Sequence, residues 1–234
     1  WLYGSGGYRL WSFNPSPWGV ASVSGAADDF RTQSKIGTGG GKWARNDPRK
    51  LYVMNDDDIL VGTAITTDYG MFVGRTSTGG AVQPLGSGVV LYDFCWNDDG
   101  TEAFILTDDI ELKAGTLSTP YDFTTWSTNA SKDVDLQAVV TAGGGATMSF
   151  GPPSTISMSP GGTRMWHPDR QNNVVRQHAM STPFDPSTAT LEFSLDISST
   201  VASSSGYAFM VDDAGQYAYL FESGANELHR WTFN

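Results

Sequence analysis

Cysteine is almost missing from this chain of 234 residues: Cys95 is the only one, so no intrachain disulfide framework can hold the fold. It lies between Phe94 and Trp96 in an apolar run, where a thiol serves as a small buried hydrophobe. Basic residues are scarce as well, 14 against 25 acidic ones, for a formal net charge of −11. A surface this acidic repels phosphate backbones, so nucleic acid is not an expected partner. No run approaches the roughly 20 apolar residues of a spanning helix, and no signal peptide is visible, so membrane insertion is not expected. Long stretches of Ala, Leu, Glu and Lys with a helical period are lacking, which sets aside helical and leucine-rich repeats. What abounds is glycine, 27 residues, together with Thr, Ser, Asp and aromatics. Such a composition favours many short strands joined by tight turns.

Self-similarity is the strongest signal. The aromatics Tyr3, Tyr52, Phe104, Trp166 and Tyr219 recur at intervals of 49, 52, 62 and 53 residues, each preceded by a small or aliphatic residue. Before four of them lies a polar turn: Asn46 to Arg49, Asp98 to Thr101, Pro160 to Thr163 and Asp213 to Gln216. Glycine holds the third place in three of these turns, as a hairpin needing positive φ demands. Ahead of the turns stand the alternating pairs Phe94 and Trp96, Ile156 and Met158, and Phe209 and Val211, which mark half-buried strands. A third strand follows each anchor, with one column reading Tyr8, Leu60, Leu112, Val175 and Leu228. The pairs Pro17-Trp18, Asp68-Tyr69, Pro120-Tyr121 and Pro183-Phe184 close the unit, proline presetting a turn and the aromatic pinning it.

Four antiparallel strands in about fifty residues describe a propeller blade, which buries its faces only against neighbouring blades. The expected fold is therefore all-β: a single β-propeller domain over residues 1–234, with four-stranded blades and about five repeat rows. The rows run over 1–30, 40–85, 92–130, 154–200 and 206–234, with an insertion at 127–153. The first row lacks its innermost strand and the last its outermost. Either five blades close imperfectly or the chain is a piece of a larger ring.

Two rows carry a more particular signature, Leu117-Ser118-Thr119-Pro120-Tyr121-Asp122 and Met180-Ser181-Thr182-Pro183-Phe184-Asp185. These resemble repeats of β-propeller proteins of phages and marine viruses, in which an Asp-Gly turn precedes an aromatic strand and a Leu-Ser-Thr-Pro-aromatic-Asp segment follows. The likeness extends over nearly the whole chain; the row at 43–73 departs from it, with Thr67-Asp68-Tyr69-Gly70 at that place. It implies a virion component, such as a tail, fibre or surface-decoration protein, and carries over no catalytic residue.

Candidate sites are few. Asp56, Asp57, Asp58, Asp108, Asp109 and Asp169 cluster after the anchor strand, in turns that a propeller gathers on one face. Clustered carboxylates suit Ca²⁺, but their spacing matches no known calcium loop and solvated turn chemistry explains them equally. Neither a metal nor a cofactor is expected. Arg9, Lys113, Arg176 and His229 share one column of the third strand. They form either a ring that engages acidic groups on a partner or outward side chains paired with acidic neighbours. His167, His178 and His229 lie in strands without zinc spacing, and the column of His178 points to packing. Trp1, Trp18, Trp126 and Tyr207 are the aromatics left over for a sugar face. The expected function is a non-enzymatic structural or adhesion module of a phage particle, on the virion surface or extracellular. Its expected partners are other virion proteins or a host-surface glycan or protein, and oligomerisation through the virion assembly is open. The alternatives are a carbohydrate-binding propeller and a propeller glycoside hydrolase.

Overall fold

The structure is a computed structural model that describes residues 2–4, 7–9, 13–14, 19–20, 41–44, 47–55, 58–64, 76–77, 81–148, 155–201, 207–211, 217–222 and 227–232. Side chains are described for 82–148, 155–201, 209–211, 217–220 and 228–232. Every strand pairing among the described residues is antiparallel. Strands β1 (Leu2–Gly4) and β2 (Gly7–Arg9) form one hairpin, β3 (Phe13–Asn14) and β4 (Gly19–Val20) another. Next comes a sheet in the order β5 (Gly41–Ala44), β6 (Asp47–Asn55), β7 (Asp58–Ala64) and β8 (Thr76–Ser77), with β9 (Ala81–Val82) also on β7. Strands β10 (Leu91–Trp96), β11 (Glu102–Thr107), β12 (Glu111–Leu117) and β13 (Trp126–Thr128) follow in order, β14 (Val134–Asp135) joining β12. The last two sheets are β15 (Ser157–Met158), β16 (Arg164–Asp169), β17 (Val174–Met180), β18 (Ala189–Asp196), then β19 (Tyr207–Val211), β20 (Tyr217–Glu222) and β21 (Glu227–Thr232).

The anchors fall in β1, β6, β11, β16 and β20. Three share one register: Phe104 lies opposite Cys95, Trp166 opposite Ser157, and Tyr219 opposite Met210. Successive side chains in a strand point to opposite faces, and this sorts each sheet into two apolar surfaces. Phe94, Trp96, Ala103 and Ile105 turn to one side, while Cys95, Phe104 and Leu106 turn to the other. Phe104 and Leu106 share a cluster with Ile156, Met158 and Met165 of the following sheet. Trp166 and Val175 in turn share one with Phe209, Ala218 and Leu220 of the sheet after that. Phe104 and Trp166 thus each pack on residues of the following sheet, and full burial of a side chain this large contributes roughly 1.5–3 kcal/mol. Side chains also bond across the seam: Asp93 Oδ2 accepts the Ile156 N–H at 2.7 Å, and Thr155 Oγ1 accepts that of Phe209 at 3.2 Å.

The recurring turn signature has a direct physical basis. Gly100 (φ 73°) and Gly162 (φ 61°) lie beneath the rings of Tyr121 and Phe184, where a Cβ would fall 2.3 and 2.4 Å from ring carbons. The Tyr121 N–H bonds Gly100 O at 2.8 Å and the Phe184 N–H bonds Gly162 O at 2.9 Å. Asp122 Oδ1 accepts the Thr124 N–H at 2.9 Å, and Asp185 Oδ1 that of Ser187 at 3.1 Å, each capping a single 3-10 turn. Two rows therefore solve one turn with one set of contacts.

The insertion is ordered where it is described. Its helix α1 (Leu136–Ala142) is capped by Asp135, which accepts the Ala138 N–H at 3.0 Å. Leu136 and Val140 are fully buried in the cluster around Phe104 and Met165. Lys132 fastens the segment ahead of the helix, reaching Glu102 Oε1 at 2.6 Å and Phe184 O at 3.1 Å.

Candidate functional site

In the sheet of β15–β18 the face toward α1 carries a polar cluster inside the core. Alternation puts Met165, His167 and Asp169 of β16 on that face, together with Arg176, His178 and Met180 of β17. Register sets His167 opposite Arg176 and Met165 opposite His178, so the two imidazoles meet diagonally. Their Nε2 atoms are 3.0 Å apart and the rings stack at 5.1 Å. A neutral imidazole has one N–H, so at this contact one ring donates and the other accepts. Both residues are completely buried, and burial pushes their pKa values far below the ordinary range, that of His167 to about 3. In His178 burial is reinforced by the neighbouring His167 and the Arg176 guanidinium. The pair is neutral at physiological pH.

Arg176 satisfies its guanidinium within the fold. Nη2 and Nε reach Asp169 Oδ2 at 2.6 and 3.1 Å, Nη1 reaches Ser194 Oγ at 3.0 Å, and Nη2 also reaches Ala146 O at 3.3 Å. Asp169 further accepts from Asn172, whose backbone N–H is 3.2 Å from Oδ1 and whose Nδ2 is 2.8 Å from Oδ2. Asn172 Nδ2 also reaches Thr147 O at 2.7 Å. The segment Gly143–Thr147 is in this way laid over the cluster. Gly145 has to be glycine, since a Cβ there would lie 2.5 Å from Val140 Cγ1 and 2.9 Å from Arg176 Nη1. Only 3 % of the Arg176 side chain and none of Asp169 meets solvent. A buried pair survives only when hydrogen bonds complete it, and here they do. The cluster holds the glycine-rich segment through Ala146 O and Thr147 O, and its charged groups are buried. On the opposite face Trp166 Nε1 reaches Gln177 Oε1 at 2.6 Å, and Gln177 Nε2 reaches Glu192 Oε2 at 2.5 Å.

The sequence-based sites land in different settings. Asp56 and Asp57 lie outside the described residues; Asp58 opens β7, its side chain undescribed. Asp108 and Asp109 are exposed in the turn between β11 and β12. Asp169 does not belong with them: it ends β16 and is buried on Arg176. No three His, Cys, Asp or Glu side chains among the described residues are grouped to hold a metal ion. In the basic column, Arg9 lies in β2 with its side chain undescribed. Lys113 does meet acidic neighbours, Glu111 at 2.6 Å and Asp133 at 3.3 Å. Arg176 departs from the outward-facing expectation, because the insertion covers its face and Asp169 supplies the counter-charge. His229 is half-buried beside the Trp231 ring, 5.8 Å between centroids. Trp1 and Trp18 lie outside the described residues and the Tyr207 side chain is undescribed, while Trp126 packs over Gly115. Sequence reasoning missed the histidine pair. The pair becomes visible only with the register of β16 and β17, in which Trp166 lies opposite Gln177 and His167 and His178 are diagonal neighbours.

No protein-family model matches the sequence, and no curated protein does. Solved structures resemble it in fold. A "putative 6-phosphogluconolactonase" from Bacteroides fragilis aligns with a TM-score of 0.52 and 13% identity, over 84% of this chain and 50% of that one. A periplasmic gluconolactonase from Pseudomonas aeruginosa gives 0.49 and 11%, over 84% and 50%. The Swd1 β-propeller domain from Myceliophteria thermophila gives 0.44 and 12%, over 82% and 58%. The chain spans about half the length of these structures. At such identity the likeness is one of fold: mostly antiparallel sheets arranged as in propellers. It corrects the expectation of a non-enzyme, because the scaffold shared with the Bacteroides protein is one that its name associates with catalysis, and a propeller frame gives no ground for excluding chemistry. No helix among the described residues is long and apolar enough to cross a membrane.

Proposed function

We propose that the chain is a propeller of four-stranded blades in five rows and that it is a structural or adhesion component on the outside of a phage particle. Its partners are neighbouring virion subunits or a host-surface glycan or protein. The observation that carries this reading is where the repeat signature goes. Gly100, Tyr121 and Asp122, like Gly162, Phe184 and Asp185, are occupied in bracing turns, leaving a rigid frame that presents loops at fixed positions. Sheets β5–β8, β10–β13 and β15–β18, each with four strands in sequence order, support the blade pattern. The virion assignment rests on the Leu-Ser-Thr-Pro-aromatic-Asp resemblance alone.

The test has two parts. The protein is sought by mass spectrometry in particles purified from its source, and the purified chain is assayed for binding to host cells and for lactone, glycoside, ester and peptide hydrolysis. Copurification with the particles and saturable binding are expected. Absence from the particles removes the virion role. Turnover abolished by a single Asp or Glu substitution would assign the chain a catalytic role.

A further inference from the structure

Soft donors are concentrated at one place in this molecule. Four of its seven methionines, Met148, Met158, Met165 and Met180, share a single buried cluster with its only cysteine, Cys95. Register puts two of these thioethers in line with the histidine pair. Met158 lies opposite Met165 and Met165 opposite His178, so the three form one row across β15, β16 and β17, with His167 diagonal to His178. Directly opposed side chains have Cβ atoms about 4.5–5.5 Å apart, within reach of a flexible thioether. Met165, His167 and His178 are all fully buried. The contact between the imidazoles, 3.0 Å from Nε2 to Nε2, engages one nitrogen of each ring, and His178 Nδ1 makes no hydrogen bond among the described residues. Two apolar side chains would fill this space without the cost of desolvating two polar rings.

We propose that His167 Nε2, His178 Nε2 and the thioether sulfur of Met165 bind one Cu(I) ion. Two nitrogens that each ligate an ion at about 2.0–2.1 Å lie roughly 3.3–3.6 Å apart, so the pair has only to open by a few tenths of an ångström. Both rings are neutral, as a metal ligand must be. The one proton shared at their contact moves to Nδ1 of the ring that carries it, which leaves two lone pairs directed at the ion and releases no proton. The donor set selects the ion. All three ligands are uncharged, and the nearest charges, Arg176 and Asp169, offset each other. A single positive charge is therefore the least costly to bury, and thioether with imidazole suits Cu(I). No third His, Cys, Asp or Glu joins the pair among the described residues, which disfavours Zn²⁺. The site would brace β16 against β17, and it stands apart from the virion reading.

Anaerobic titration of the purified full chain with Cu(I), against the chelator bicinchoninate, tests it. One equivalent is expected to leave the chelator for the protein, and X-ray absorption at the copper edge is expected to show sulfur beside nitrogen in the first shell. Even outer-shell partners of a metal are worth roughly 10- to 100-fold in affinity, so Met165→Leu and His178→Gln are each expected to weaken binding by at least about tenfold. The leucine variant is also expected to lose the sulfur signal. A wild-type chain that takes no Cu(I) from the chelator overturns the proposal. So does a first shell without sulfur, or an affinity indifferent to both substitutions. Should the variants fail to fold, the wild-type chain supplies a second reading: its thermal midpoint is expected to rise with Cu(I) by mass action, and an unchanged midpoint overturns the site. None of these outcomes depends on whether the protein is found in particles.

Discussion

The sheets β10–β13 and β15–β18 share a turn scaffold and differ in what fills it. In the first, Gly115 of β12 leaves a hollow that Trp126 of β13 occupies, and a Cβ on Gly115 would fall 2.5 Å from the indole. In the second the sizes are exchanged: His178 stands in the column of Gly115, and Ala189 of β18 pairs with Met180 where Trp126 pairs with Leu117. The same exchange separates Ile105 from His167, and half-exposed Lys113 from buried Arg176. These two sheets therefore share their turns while the space beside them is filled differently. The polar cluster lies in the sheet that the segment 143–147 covers.

That contrast breaks most visibly at Arg176. Removing one partner of a buried ion pair strands the other charge, at a cost of about 3–5 kcal/mol. Arg176→Met is expected to lower stability in urea denaturation by that amount and to loosen residues 143–147, which the guanidinium and Asn172 hold through Ala146 and Thr147. The double variant Arg176→Met with Asp169→Leu removes both charges and is expected to recover most of the loss. If the single variant costs no more than a surface substitution, the cluster is not the closed unit described above.

The histidine pair sharpens the comparison through pH. Both imidazoles are neutral in the folded protein because burial lowers their pKa values, whereas an unfolded histidine titrates near 6.5. Below that pH the unfolded chain binds protons that the folded chain does not, so stability falls as the solution is acidified. At full effect the slope approaches about 1.4 kcal/mol per pH unit for each histidine. Denaturant midpoints measured from pH 7 to pH 5 are expected to decline, and less steeply when His167 and His178 are both replaced by Gln. An unchanged slope in the double variant would mean that the pair is charged, or solvated, in the folded state.

Much of the frame was legible in the sequence because the repeat rests on local chemistry. Glycine at positive φ, an aspartate that caps, and a proline before an aromatic each declare a turn without reference to distant residues. Cys95 as a small buried group and the alternating pair Phe94 and Trp96 follow from period alone, and both are buried. The cluster was illegible for the opposite reason. Arg176 owes its burial to Asp169 across a hairpin and to an insertion whose place over β17 no spacing reveals. Asp169 looked like a turn carboxylate because the sequence shows it near Arg170 and Asn172, while its seven-residue reach to Arg176 depends on the register of β16 and β17. The helix at 136–142 escaped notice too, being only seven residues long and stabilised by burial of Leu136 and Val140.

Lys113 gives the smallest expected effect and the most direct control. It occupies the same column as Arg176 and also meets carboxylates, Glu111 at 2.6 Å and Asp133 at 3.3 Å, but 28% of its side chain is exposed. Water remains available to all three groups, and Asp133 keeps a second partner, the Ala114 N–H at 2.9 Å, when the lysine is removed. No charge is stranded, so Lys113→Met is expected to cost between zero and about 1 kcal/mol, within the range of exposed pairs. Because such pairs are screened, the difference from wild type should shrink as salt is raised, whereas the loss at Arg176 should persist. Urea denaturation of both variants at low and high salt makes the comparison in one experiment. Equal costs at the two positions, or a salt-independent loss at Lys113, would show that the column and not the covering insertion sets the energetics.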